Sequence, residues 1–238
     1  IRDAYMRGFG APRADFGRLC VAQRANARRN PLALLREPLT LEAYLAARPI
    51  AEPLHLFDCV MPCAGAEGFL VMRRARAEAL GLRGVRLLGA IERHNAYADD
   101  PVQMRGGWAI DREALWAQAG VAPDAINLVQ VYDDYPVIAF MQLEDLGFCG
   151  KGGAAAFVRD RDLTVAGDFP VNTGGGQLSA GQAGAAGGYL GLVEAVRQLA
   201  GEAAGRAVPD ARHALVSGFG MINYDRGLCT AACVLAAP

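Results

Sequence analysis

A chain of 238 residues and 25.1 kDa suits one large domain or two smaller ones, with room for a sizeable core. Its 24 basic and 25 acidic side chains balance to a formal charge of −1, which leaves no electrostatic footprint for nucleic acid or for a lipid surface. Charged residues at 21% against 53% apolar exclude a disordered chain, and no window approaches the ~20 unbroken apolar residues of a membrane span.

The chain opens Ile1-Arg2-Asp3, without an initiator Met or a signal-peptide layout, and reads as the later part of something longer. The first 57 residues are Arg-rich, proline-punctuated and poor in β-branched residues. Residues 14–30 place Phe16, Leu19, Cys20 and Ala27 at helical spacing, and Pro31 stops the pattern. Residues 40–46 read as a short helix capped by Thr40. This region reads as a mobile excursion or covering layer rather than a sheet. From residue 58 the rhythm changes. Residues 65–72 are a strand candidate, 73–80 a helix, and 85–91 another strand. Residues 111–119 read as a helix with Asp111 at its start, 126–132 as the clearest strand, and 137–146 as the helix after it. A glycine-dense stretch, 174–188, opens a helix over 189–199 with Leu190, Val193, Val196 and Leu199 on one face. Two apolar runs, 214–216 and 230–236, close the chain as a hairpin. Alternating strands and helices followed by a hairpin predict an α/β fold with a mixed sheet.

Six cysteines (20, 59, 63, 149, 229 and 233) lack the spacings of zinc ribbons, and no His follows at ligand spacing. They read as buried, reduced thiols, no metal ligand set is expected, and the expected compartment is cytoplasmic. His55 and His213 precede apolar strands and His94 falls in a polar loop, none with an acidic or hydroxyl partner in sequence. The glycine-rich stretch lacks the closing Lys-Ser/Thr of a phosphate loop and a Gly-x-Gly-x-x-Gly register. It serves either close ligand approach or tight packing of small residues. Tyr132-Asp133-Asp134-Tyr135 falls where the best strand hands over to a helix, the end of a strand at which α/β sheets bind ligands. Its aspartates suit acid/base work, with capping of the following helix the simpler role for Asp134.

Four blocks carry a resemblance: Tyr132-Asp-Asp-Tyr135, Leu143-Glu-Asp-Leu-Gly-Phe-Cys149, Pro170-Val-Asn-Thr-Gly-Gly-Gly176 and Glu194-Ala-Val-Arg-Gln-Leu199. In this order they resemble the later half of thiolases, of the sterol-carrier-protein-X and bacterial lipid-transfer-protein type. Leu54-His-Leu-Phe-Asp-Cys59 and Ala64-Gly-Ala-Glu-Gly-Phe-Leu-Val71 are similar to the strand closing the N-terminal half of that family. The resemblance implies a layered αβαβα fold with mixed sheets, usually dimeric, whose N-terminal half is incomplete in this chain. It divides the chain into an excursion of the N-terminal half (1–57), its closing strand and helix (58–84), and a C-terminal thiolase domain (85–238). It implies a homodimer acting on acyl-CoA thioesters as an acyltransferase, with coenzyme A as part of the substrate and no bound cofactor.

Residue by residue, the resemblance carries Tyr132 onto the oxyanion-binding Asn or His at a strand end. Gln182 matches the His of Gly-His-Pro, and Ser217 the cysteine of the C-terminal hairpin. Asp134, Tyr135 and Gly181 fall beside these positions and are expected to contact substrate. Every one of the three catalytic positions is substituted. Gln182 has no titratable group near pH 7 and cannot generate a thiolate. Ser217 is a far weaker acid/base than a cysteine. Gln182 and Tyr132 keep the capacity to donate hydrogen bonds to a thioester oxygen. Two alternatives to acyl transfer follow from relatives of this type. One is retro-aldol cleavage of a β-hydroxyacyl-CoA, with Tyr132, Tyr189 or Tyr224 as base if its pKa is depressed, and with a small OB-fold, zinc-binding partner protein. The other is a non-catalytic acyl-CoA-binding subunit.

Overall fold

The computed structural model describes residues 1–223 and 226–238, and of Met221, Ile222 and Asn223 the backbone alone. The chain begins with helices α1 (Arg2–Phe9), α2 (Arg13–Ala27) and α3 (Leu41–Leu45). The two-residue-turn strands β1 (Pro49–Ala51) and β2 (Leu54–His55) pair antiparallel, and helix α4 (Arg74–Ala79) and strand β3 (Arg86–His94) follow. Then come α5 (Trp108–Ala119), β4 (Leu128–Gln130), α6 (Pro136–Asp145), α7 (Ala154–Asp160), α8 (Gly176–Ala180) and α9 (Gly187–Ala200). Strands β5 (His213–Asn223) and β6 (Arg226–Ala236) form the closing hairpin.

The four longer-range strands make one mixed sheet in the order β3-β6-β5-β4, with β4 parallel to β5 and the other pairs antiparallel. Alternation sorts its side chains onto two faces. Leu128, Ala214, Val216 and Leu235 pack with Ala195 and Leu199 of α9. Val129, Leu215 and Val234 point the other way, into the larger core that holds Leu115, Phe140, Leu143 and Phe16. Helices therefore cover both faces, as the α/β reading expects. The described residues build this one mixed sheet and the β1–β2 hairpin, so the second large sheet of a five-layer arrangement does not form here.

The N-terminal region is a covering layer made of helices, with one small hairpin where no sheet was expected. All four apolar positions predicted for its main helix are buried, and Phe16 stacks on Phe140 of α6 at 4.7 Å between ring centroids. Thr40 Oγ1 accepts from Ala43 N at 3.1 Å, the predicted cap of α3. Helix α6 is buried along its whole length, including Gln142, Glu144 and Asp145. Such a helix needs a partner for each polar side chain. Tyr5 OH and Ala154 N serve Glu144, while Gly106 N and Lys151 serve Asp145.

Three expectations fail locally. Residues 65–72 are not a strand. Leu70 and Val71 are 84% and 86% exposed, and the bridge formed nearby, by Pro62 with Gln182, lies upstream of the apolar run. Without a neighbouring strand this short apolar run has no ladder to join. His94 is not in a loop but ends β3, because pairing with β6 continues through His94↔Cys229. The six thiols are free, yet only Cys20 is buried and the other five are partly exposed.

Candidate active site

A cavity of about 320 Å³ opens beyond the end of β4, walled by the 63–67 segment, residues 130–133, the glycine-rich stretch and the first turns of α9. Tyr132, Gly181 and Ser217 line it, and Gln182 reaches the Tyr132 hydroxyl, donating from Nε2 at 3.3 Å. The structure thus brings together the three positions carried over as catalytic.

Each is fixed by a different element. Tyr132 follows β4 by two residues, and its backbone is clamped by Gln142 of α6. Gln142 Oε1 accepts from Tyr132 N at 3.0 Å and Nε2 donates to Tyr132 O at 2.6 Å. Ser217, in β5, donates to the same Gln142 Oε1 at 2.6 Å. Gln182 follows α8 and is bracketed by the chain at 61–63: its N–H donates to Met61 O, and its carbonyl accepts from Cys63 N, both at 2.9 Å. These amide and hydroxyl groups are neutral at any physiological pH. Where the resemblance would place a His base and a cysteine, the structure holds a neutral hydrogen-bonded network.

Asp133 is 1% exposed and turns away from α6 toward α8. Its Oδ1 accepts from Gln177 N at 2.8 Å and Oδ2 from Leu178 N at 3.3 Å, satisfying N–H groups at the start of that helix. Burial, opposed by these bonds, raises its carboxyl to about 7. This cap ties the strand end that carries Tyr132 to the short helix that leads into Gln182. Packing also explains the glycines here. A Cβ on Gly176, at φ +60°, would run into the Asp133 carboxylate, and one on Gly181, at φ +114°, would lie 2.9 Å from Cys63 Sγ.

Other expectations are not met. Asp134 does not cap α6, whose N-cap is Tyr135 with no side-chain bond. Asp134 Oδ1 is buried without a hydrogen-bond partner among the described residues, and burial raises its carboxyl to about 6. Neither Asp134 nor the exposed Tyr135 lies on the cavity wall. Tyr132 is not a base with a depressed pKa: burial, and then Asp134, push its phenol up. It keeps its proton and, accepting from Gln182, has that proton left to donate. Tyr189 packs against Phe69 at 5.5 Å, off the cavity wall, and Tyr224 lies outside the described residues. Cys229 is opposite Gly220 in the hairpin, also off the wall.

Sequence reasoning missed Gln142 and the Cys63 and Glu67 side chains that line the cavity. Gln142 carried no signal, being one polar position in an apolar helix. Glu67 stood inside a quoted block. Its carboxyl is raised by burial, opposed by Arg197, and among the described residues it makes no hydrogen bond.

Residues 91–229 match a family model described as Thiolase C-terminal domain-like. The chain is 37% identical over 225 residues to the 17-hydroxy-3-oxo-4-pregnene-20-carboxyl-CoA lyase of Mycobacterium tuberculosis, covering 91% of this chain and 57% of that protein. It is 35% identical over 205 residues to the steroid side-chain-cleaving aldolase of Thermomonospora curvata, covering 83% of this chain and 52% of that one. Among solved structures, the Ltp2-ChsH2(DUF35) aldolase superposes with a TM-score of 0.84 at 31% identity, over 99% of this chain and 61% of its own. The chain thus spans between half and two thirds of the length of these relatives. No described helix is long and apolar enough to cross a membrane. With four sequence blocks in family order and a mixed sheet that superposes on an aldolase of this type, the chain belongs to the thiolase superfamily, in its sterol-carrier-protein-type branch.

Proposed function

We propose that this chain supplies much of the active site of a carbon–carbon lyase, cleaving a β-hydroxyacyl-CoA thioester by a retro-aldol route. The observation that carries this is the neutral network at the family's catalytic positions. Thiolysis needs a cysteine made nucleophilic by a base. Here Gln182 and Ser217 offer neither, and no His is among the described residues of the cavity wall. A retro-aldol needs a base for the β-hydroxyl proton and hydrogen-bond donors for an enolate, but no acyl-enzyme.

The step balances as follows. A base takes the β-hydroxyl proton, the Cα–Cβ bond breaks, and Cβ leaves as a ketone or aldehyde. The electron pair moves onto the thioester as an enolate, whose Cα then takes a proton to give the shortened acyl-CoA. Tyr132 OH and Gln182 Nε2 are the donors for the enolate oxygen, and a phenol that keeps its proton suits that role. Glu67 is the base, a carboxyl on the cavity wall made more basic by burial. The likeness to lyases and an aldolase supports the reaction class, and the likeness to a DUF35-containing complex supports a partner protein of that type.

The test is turnover of a β-hydroxyacyl-CoA by the protein, alone and with a DUF35-type partner, read by mass spectrometry as a shortened acyl-CoA plus a carbonyl fragment. Tyr132→Phe is expected to lower kcat by about 10²–10³ with little change in KM. Unchanged turnover in that variant overturns the assignment. Acyl transfer of the thiolase kind is the second reading, favoured by the free thiol of Cys63 on the wall. A CoA-dependent thiolysis with an acyl group trapped on Cys63 would establish it instead.

A further inference from the structure

Away from the cavity, at the opposite edge of the sheet, three unlike side chains converge. Glu92 and His94 alternate along β3 and so share a face, and Cys229 of β6 is the register partner of His94. His94 Nε2 lies 2.6 Å from Glu92 Oε1 and 3.8 Å from Cys229 Sγ. One ligand atom from each of the three falls within 4.8 Å of the others.

The same ring nitrogen faces both partners. A nucleophilic relay would put thiol and carboxylate on opposite nitrogens of the imidazole, so this is not a Cys-His-acid triad. A shared nitrogen, thiol and carboxylate around one point is instead a ligand set. Donors at about 2.0–2.3 Å from a tetrahedral zinc stand roughly 3.3–3.7 Å apart, a spacing these atoms reach with small side-chain rotations. The mixed O, N and S donors suit a borderline cation. The Arg93 guanidinium does not fill the place, because Arg93 alternates to the other face of β3 and is engaged bidentately by Asp111 at 2.6 Å. Glu92 and His94 are exposed and Cys229 is partly so, which leaves the point open to solvent.

We infer that Glu92, His94 and Cys229 form a three-ligand site for a divalent cation of the zinc class, with its fourth position open. A cysteine binds such a cation as its thiolate, so loading the site releases a proton. The site is independent of the proposed lyase chemistry.

The probe is Co²⁺, titrated into the reduced, chelator-treated protein and then displaced with Zn²⁺. One equivalent is expected to bind with a near-ultraviolet thiolate-to-cobalt band. Cys229→Ser is expected to abolish the band, and His94→Gln and Glu92→Gln to weaken binding at least about tenfold. Cys149→Ser, remote from the cluster, is expected to leave band and stoichiometry unchanged. No band in the reduced wild type, or a band that survives Cys229→Ser, overturns the site.

Discussion

Two buried carboxylates border the same cavity and are handled in opposite ways. Glu194 meets charge with charge: Arg206 donates to it from Nε at 3.0 Å and from its terminal nitrogen at 2.8 Å, with Thr173 and Gln198 adding bonds at 2.8 and 3.0 Å. Asp133 has no cation bonded to it among the described residues and rests on two backbone N–H groups of a five-residue helix. Neutral dipoles offset less of the desolvation penalty than a guanidinium does, and the Asp133 carboxyl titrates near neutral pH. The first arrangement makes an anchor for α9. The second makes a joint between Tyr132 and Gln182 that is sensitive to protons.

The sharpest way to break the contrast is to remove the cation. Arg206→Met strands Glu194 in the interior and is expected to cost about 3–5 kcal/mol in urea unfolding. Replacing both partners with apolar residues of similar volume should recover most of that loss, whereas no recovery would mean that Arg206 acts chiefly by packing. Proton linkage tests the other carboxylate. Because its native pKa is raised from 3.8 to about 7, the stability contributed by protonated Asp133 is complete below pH 3.8 and declines as pH rises to about 7. The difference in stability between wild type and Asp133→Asn should therefore fall with pH across that window, by at most about 1.4 kcal/mol per unit, and be flat above it. A pH-independent difference would show that the cap is already ionised throughout. The smallest effect belongs to the neutral hub beside Asp133. Ser217→Ala leaves Gln142 its bonds to the Tyr132 backbone and is expected to cost about 1 kcal/mol. A far larger loss in unfolding experiments would mean that Ser217, not Gln142, holds the strand end.

Much of this arrangement was legible where local periodicity meets burial. Phe16, Leu19, Cys20 and Ala27 announced α2, and Pro136 at the first position of α6 marked where strand gives way to helix. The same logic misled over residues 65–72, because a short apolar run states what a strand would bury but not whether a neighbour exists to pair with it. The Tyr132–Gln182 contact spans 50 residues, and Gln182 was singled out only through the family resemblance. Gln142, Glu67 and the Asp133 cap gave no separate signal, since each depends on which backbone groups a distant segment presents.

The α/β class, the closing hairpin and the helical N-terminal layer were legible from short-range pattern, and the family resemblance offered Tyr132, Gln182 and Ser217 as candidate positions. The fold settles that Asp133 caps α8, and that Asp134 leaves its buried Oδ1 without a hydrogen-bond partner among the described residues. It alone revealed that Tyr132 holds its proton and that Cys229 meets a histidine 135 residues away. Hydrogen bonding and desolvation act over a few ångströms in space, and the distance along the chain that separates such groups carries no record of that proximity.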